Sequence, residues 1–213
     1  MCLIALSVEK SKDWHGKDSY FFKIVANRDE YHERQTTGMH WWPNQSILAG
    51  RDEVAGGTWL GTNREGKFAA ITNLKENNNN KYQVSRGSLV TGFLESQLSA
   101  KAYLEELEAE KEEYAGFNLI VGDKNGLFYL CNRLEGIFFI SEGTHALGNL
   151  TLNASTKKAE AIKHDLNDIL HEGFTAEKAF NVMKKEYGNL HEKTKKELQI
   201  RDGEEIPYRF IRS

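Results

Sequence analysis

Short apolar runs broken by polar, Gly- and Asn-rich stretches fill the first third of the chain. Residues 2–8 (CLIALSV) and 20–26 (YFFKIVA) are two such runs, joined by the polar stretch 9–19, and they predict a pair of strands in a hairpin. The segment ILAGRDEVAGGTWLGTNREGKFAAITNL predicts three short strands at 47–50, 58–61 and 68–72, turning at Gly56-Gly57 and at 64–66. The asparagine-rich NLKENNNNKYQ reads as a solvated loop. Helical spacing follows: Leu89, Val90, Phe93 and Leu94 share a face in SRGSLVTGFLES, and Tyr103, Leu104 and Leu107 share one in AKAYLEELEAEKEEY, with Ser99 as its N-cap.

The period then returns to that of strands in FNLIVGD, GLFYLCN, IFFIS and HALGNL, with turns at 123–126 and 133–136. Ser155 is expected to cap TKKAEAIKHDLNDILHE, whose Ala159, Ile162, Leu166, Ile169 and Leu170 form an amphipathic stripe. Thr175 is expected to cap a last helix, AEKAFNVMKKEYG, and IPYRFIRS begins a further strand. Strands in runs with helices segregated between them predict an α+β architecture around antiparallel sheets. No linker or repeat interrupts the order, so residues 1–213 read as one domain.

Composition narrows the function classes. With 39% apolar and 28% charged residues, the chain is globular rather than disordered. A net charge of −3 and pI near 6.2 argue against nucleic acid or an anionic membrane as partner. No stretch approaches the roughly 18 apolar residues of a spanning helix. MCLIALSV has no basic region before it and is followed at once by EKSKDWHGKD, so no secretory signal is read there. Two cysteines, Cys2 and Cys131, make no disulfide framework, and the expected location is the cytoplasm.

The seven histidines show no zinc-helix spacing and no haem-attachment motif occurs, so no metal or cofactor is expected. GGTWLG lacks the Lys-Ser/Thr of a phosphate loop, and reads instead as a tight turn with Trp59 packing or lining a pocket. Cys131 reads as core. Trp41-Trp42 reads either as an exposed apolar lip or as partly buried.

Cys2 is the residue with chemistry to offer. Removal of Met1, the usual fate ahead of a small residue, would leave a thiol and an α-amine on one residue. An α-amine with a pKa near 7.7–8.0 can take the thiol proton, so nucleophile and base coincide. If the first two strands pair, Arg28 stands near enough to favour thiolate, and Asp29 to orient Arg28 or the amine. Asn73 and Asn149 end strands and offer amide donors for an oxyanion. Taken singly, each signal has a plainer reading: Cys2 as a packed small residue, the asparagines as turn residues, NRDE as a surface charge cluster.

The combination resembles the NRDE, or Transport and Golgi organisation 2, family. The matching stretches are MCLI at 1–4, ANRDE at 26–30, ILAGRD at 47–52, AGGTWLG at 55–61, AAITN at 69–73, RGSLV at 86–90, GFNLI at 116–120 and LGNLTLN at 147–153. The resemblance implies a four-layer α-β-β-α sandwich of the N-terminal nucleophile hydrolase kind. By analogy with the cysteine amidases of that fold, it implies Cys2 as nucleophile, with Arg28, Asp29, Asn73 and Asn149 around it. Asn27, Glu30 and Trp59 are then expected at the substrate. The partner would be a small molecule, an amide or acyl compound. The family is also linked to haem mobilisation and to lipid or acyl-CoA handling, which implies the alternative of a carrier using the same pocket. Family members usually continue beyond FIRS into a further strand and hairpin. Their absence here would leave a sheet edge to be covered some other way, for instance by dimerisation.

Overall fold

The computed structural model describes residues 2–12, 15–16, 18–31, 33–43, 47–76, 82, 84–185 and 208–212, without the side chains of Asp29, Tyr31 and 208–212. Most of the asparagine tract and the end of the expected last helix lie outside the described residues.

Two antiparallel sheets form the middle of the molecule. The first contains β1 (Leu3–Lys12), β2 (Asp18–Tyr31), β10 (Gly143–Leu147) and β11 (Tyr208–Arg212), in the order β10-β1-β2-β11. The second is a meander in sequence order: β3 (Thr36–Trp41), β4 (Ile47–Asp52), β5 (Leu60–Asn63), β6 (Phe68–Asn73), β7 (Phe117–Asp123), β8 (Gly126–Cys131) and β9 (Phe138–Ile140). Helices α1 (Gly87–Glu95) and α2 (Ala100–Glu108) cover the outer face of the second sheet, with Phe93 and Leu104 fully buried against Leu119 and Val121. Helices α3 (Lys157–His171) and α4 (Ala176–Lys184) cover the first, where Ile162 and Leu166 meet Leu3, Ala5 and Val25. Ile4, Leu6 and Val8 face the opposite way, into the core between the sheets, against Ala70, Ile120 and Leu147. The four-layer sandwich is therefore as the residues and their resemblance imply.

The layering explains the unbroken apolar run at the start. β1 is buried on both faces, one against helices and one against the other sheet, so its sequence carries no polar alternation until it leaves the core at Glu9. The β1–β2 hairpin is longer than the apolar run suggests, because the polar residues 9–12 and 18–19 stay paired. Arg28 and Asp29 consequently lie inside β2 rather than at its end.

Ser99 and Thr175 cap their helices as expected, accepting from the N–H groups of Ala102 and Lys178. The third cap is Thr156, one residue beyond Ser155; it accepts from Ala159 N–H at 3.1 Å. α2 stops at Glu108, and a single 3-10 turn, Lys111–Glu113, takes the rest of that charged stretch. Of the tryptophan pair, Trp42 is buried and Trp41 exposed, with the Arg64 guanidinium 4.1 Å over its ring. No helix among the described residues is long and apolar enough to cross a membrane.

Candidate active site

Cys2 directly precedes β1, and strand register fixes its neighbours. Leu3 pairs with Asn27, so continuing by one residue sets Cys2 opposite Arg28. On the other side Ile4 pairs with Leu147, and continuing by two sets Cys2 opposite Asn149. A Cβ built on Gly148 would lie 3.8 Å from the Cys2 carbonyl oxygen, so the chains remain together past the last ladder pair. Side chains alternate along a strand, and Cys2 shares the parity of Ile4, toward the inter-sheet side. There it lines a cavity of about 530 Å³, together with Arg28, Glu30, Trp59 and Asn73.

The cavity wall carries an ion network. Arg28 Nη2 donates to Glu30 at 2.7 Å and to Asp52 at 3.1 Å, while Arg34 Nε donates to Asp52 at 2.7 Å. Asp52 Oδ1 also accepts from the N–H groups of Val54 and Ala55, each at 3.1 Å, closing the turn after β4. Burial acts to raise the Asp52 carboxyl, but the Arg34 guanidinium and the two N–H groups outweigh it and hold it below the usual carboxylate range.

The far wall is the entry to α1. Gly57 approaches the backbone of Gly87 so closely that a Cβ at 57 would lie 3.0 Å from the Gly87 carbonyl carbon. This contact seats Arg86, the residue before α1, in the cavity wall. Arg86 Nη1 donates to the Gly116 carbonyl at 2.9 Å. Burial pulls the guanidinium below its ordinary value, and the negative charge of Glu76 and of a Cys2 thiolate pushes it back.

The two asparagines are joined. Asn149 Nδ2 donates to the main-chain oxygen of Asn73 at 2.7 Å, while its Oδ1 is buried with no hydrogen-bond partner among the described residues. A buried chain of side chains holds the loop that carries Asn149. Tyr129 donates to Asn118 Oδ1 at 2.7 Å, Asn118 Nδ2 to Leu150 O at 3.0 Å, and Thr72 Oγ1 to Gly148 O at 2.7 Å.

The sequence-derived candidates therefore divide. Cys2, Arg28, Glu30, Trp59 and Asn73 share the cavity, and Asn149 adjoins Cys2 by register and Asn73 by its amide. Asn27 is not brought there: it has the parity of Leu3, and its Nδ2 donates to Met183 O in α4 at 2.7 Å. Asp29 occupies the β2 position opposite Phe210, and its side chain lies outside the described residues. Sequence reasoning did not single out Arg34, Asp52 or Arg86. Asp52 and Arg86 do fall within the quoted stretches ILAGRD and RGSLV, while nothing local marks Arg34.

Two packed antiparallel sheets between helical layers, with the residue just ahead of the first strand at a cavity, define an N-terminal nucleophile hydrolase fold. A solved structure described as a Caenorhabditis elegans N-acylethanolamine-hydrolyzing acid amidase ortholog matches over 86% of each chain with a TM-score of 0.55. At 8% identity this is a likeness of fold. The chain belongs to the Transport and Golgi organisation 2 family, whose family model matches residues 1–211. It is 36% identical over 152 residues to the Bos taurus Transport and Golgi organization protein 2 homolog, covering 67% of this chain and 55% of that protein. The Homo sapiens homolog is 35% identical over the same length. The chain thus spans about half the length of the curated relatives it matches.

Proposed function

We propose that the chain is an N-terminal-cysteine hydrolase of a non-peptide amide or other acyl bond. The observation that carries this reading is the register of Cys2, set between Arg28 and Asn149 at the wall of a 530 Å³ cavity. With Met1 removed, the α-amine of Cys2 takes the thiol proton and Sγ attacks the acyl carbon. The tetrahedral intermediate collapses as the C–N bond breaks, and the α-ammonium returns its proton to the leaving amine. Water, activated by the same amine, then cleaves the thioester and releases the acid. Asn73 is among the cavity's lining residues and is the oxyanion donor in this reading. Asn149 has one of its two amide N–H groups engaged by Asn73 O and a buried acceptor, Oδ1, to spare, and that acceptor suits the amine of Cys2.

The test is intact-protein mass before and after brief iodoacetamide treatment, with mapping of the N-terminal peptide. Loss of Met1 and selective alkylation of Cys2 are expected. A retained Met1, or an inert Cys2, overturns the mechanism.

A carrier reading draws on a different observation. Arg28, Arg34, Arg51 and Arg86 line the cavity against the carboxylates of Glu30 and Asp52, and the excess of guanidinium groups suits the carboxylates of haem or the phosphates of an acyl-CoA. It predicts a ligand-induced rise in melting temperature with haem or acyl-CoA and no turnover of the ligand.

A further inference from the structure

A thiolate needs a cation, and the obvious one is already engaged. The Arg28 guanidinium, only 12% exposed, is shared between the carboxylates of Glu30 and Asp52. Arg34 is held by the same pair, at 2.7 Å from Asp52 and 3.8 Å from Glu30. On this side of the cavity two cations face two anions, and little net field remains for Cys2.

Arg86 stands differently. Its hydrogen bond goes to a neutral acceptor, the Gly116 carbonyl, at 2.9 Å. Its acidic neighbour Glu76, whose charge acts on it more strongly than that of Cys2, is shared with a second cation: Arg133 Nε donates to Glu76 Oε1 at 2.6 Å, and the Gly116 N–H donates to Glu76 at 2.7 Å. Among the described residues, the remaining charged or titratable groups on the cavity are Arg51, exposed and set 5.2 Å over the Trp42 ring, and Tyr82, which accepts from Arg133 Nη2 at 3.0 Å. Arg86 and Cys2 line one cavity, close enough for a charged Cys2 to act on the Arg86 guanidinium.

We propose that Arg86, rather than Arg28, is the counter-ion of the Cys2 thiolate. Arg86 lines the cavity from the start of α1, the helix packed on the sheet opposite to that of Cys2, so thiolate formation depends on the two sheets being packed together. The guanidinium keeps its proton throughout. The thiol proton passes to solvent or to the α-amine, and the negative sulfur is left facing the Arg86 charge. This rests on the placement of Cys2 in the proposed site, but its test requires no substrate and no turnover.

The experiment follows the rate of Cys2 alkylation by iodoacetamide from pH 5 to 10 in the full chain, read by peptide mass. Wild type, Arg86→Gln and Arg28→Gln are compared with the same N-terminus, confirmed by intact mass. In the wild type the rate midpoint is expected below the ordinary thiol value of about 8.5. Arg86→Gln is expected to raise it by about one pH unit or more, close to tenfold slower alkylation near pH 7, and Arg28→Gln to raise it less. Buried Cys131 serves as a folding control, since it reacts only if the chain opens. A wild-type midpoint at or above about 8.5 overturns the proposal even if the variants fail to fold. So does an Arg28→Gln shift as large as that of Arg86→Gln. Absence of hydrolysis with a lowered midpoint would sink the hydrolase reading and leave the Arg86 pairing standing.

Discussion

Asn149 ties its side-chain amide to the main-chain oxygen of Asn73, 2.7 Å away, and so bridges the loop after β10 in one sheet to the end of β6 in the other. The two asparagines that flank Cys2 in the proposed chemistry are a single mechanical unit. The same residue keeps an unpartnered buried acceptor, Oδ1, among the described residues.

Replacing Asn149 by alanine therefore has two opposed effects on stability. It removes a hydrogen bond worth about 1 kcal/mol and also removes a buried acceptor whose desolvation costs about as much. The expected net change in urea unfolding is under about 1 kcal/mol, with Cys2 alkylation altered far more than the unfolding midpoint. A loss of several kcal/mol would mean that the amide holds the loop and has no spare capacity for the cavity.

Thr72→Val keeps shape and deletes the hydroxyl that donates to Gly148 O and accepts from Asn118 Nδ2. Both partners are left short inside the core, so a destabilisation of about 1–3 kcal/mol is expected, with Thr72→Ser recovering most of it. Equal stability of the valine and wild-type proteins in urea would show that the inter-sheet link is not anchored there.

Asp52 links acidity to stability. Its folded carboxyl titrates below its ordinary value of 3.8, so its contribution is fully present above that value. It is lost as pH falls through the lower folded value. Asp52→Asn is expected to cost about 1–3 kcal/mol at neutral pH by leaving Arg28 and Arg34 short of an anion. The difference from wild type should shrink as unfolding is measured at progressively lower pH, below about 4. A difference that stays constant with pH would exclude the carboxylate's charge as the cause.

Gly57→Ala tests the wall that presents Arg86. The added methyl would sit 3.0 Å from the carbonyl carbon of Gly87 and 3.2 Å from its oxygen, against backbone that has no rotamer to yield. A cost of about 1–3 kcal/mol is expected, together with a displaced α1 start and slower Cys2 alkylation. Unchanged stability and reactivity would show that the two segments do not need to meet.

Much of this arrangement is legible in the sequence because it is local. The apolar run at 3–8, the stripe Leu89, Val90, Phe93 and Leu94, and the caps Ser99 and Thr175 each depend on neighbours within a few residues. β3 is not legible: Thr36–Trp41 is mostly exposed at a sheet edge and carries no apolar alternation. Ser155 and Thr156 are equally good caps chemically, and only backbone geometry chooses between them. At the site, the linear motifs locate Cys2, Arg28, Asn73 and Trp59. They do not show that Arg28 is engaged by Asp52, 24 residues away, since that pairing exists only once the sheets are packed. Asn27 illustrates a different limit. A motif names four adjacent residues, but a strand sends neighbours to opposite faces, and Asn27 meets α4 while Arg28 meets the cavity.

That alternation makes β1 a parity counter for the thiol. Position 2 reaches the inter-sheet side because it lies an even number of positions from Leu6 and Val8. Deleting or inserting one residue before Leu6, with the rest of the strand held in register, would turn the thiol toward the helix layer occupied by Leu3 and Ala5. A change of two would restore the face but move the thiol by roughly 6.6 Å along the strand, out of line with Arg28 and Asn149. The length of this short segment is thus under tighter constraint than its composition, which any small set of apolar residues could satisfy.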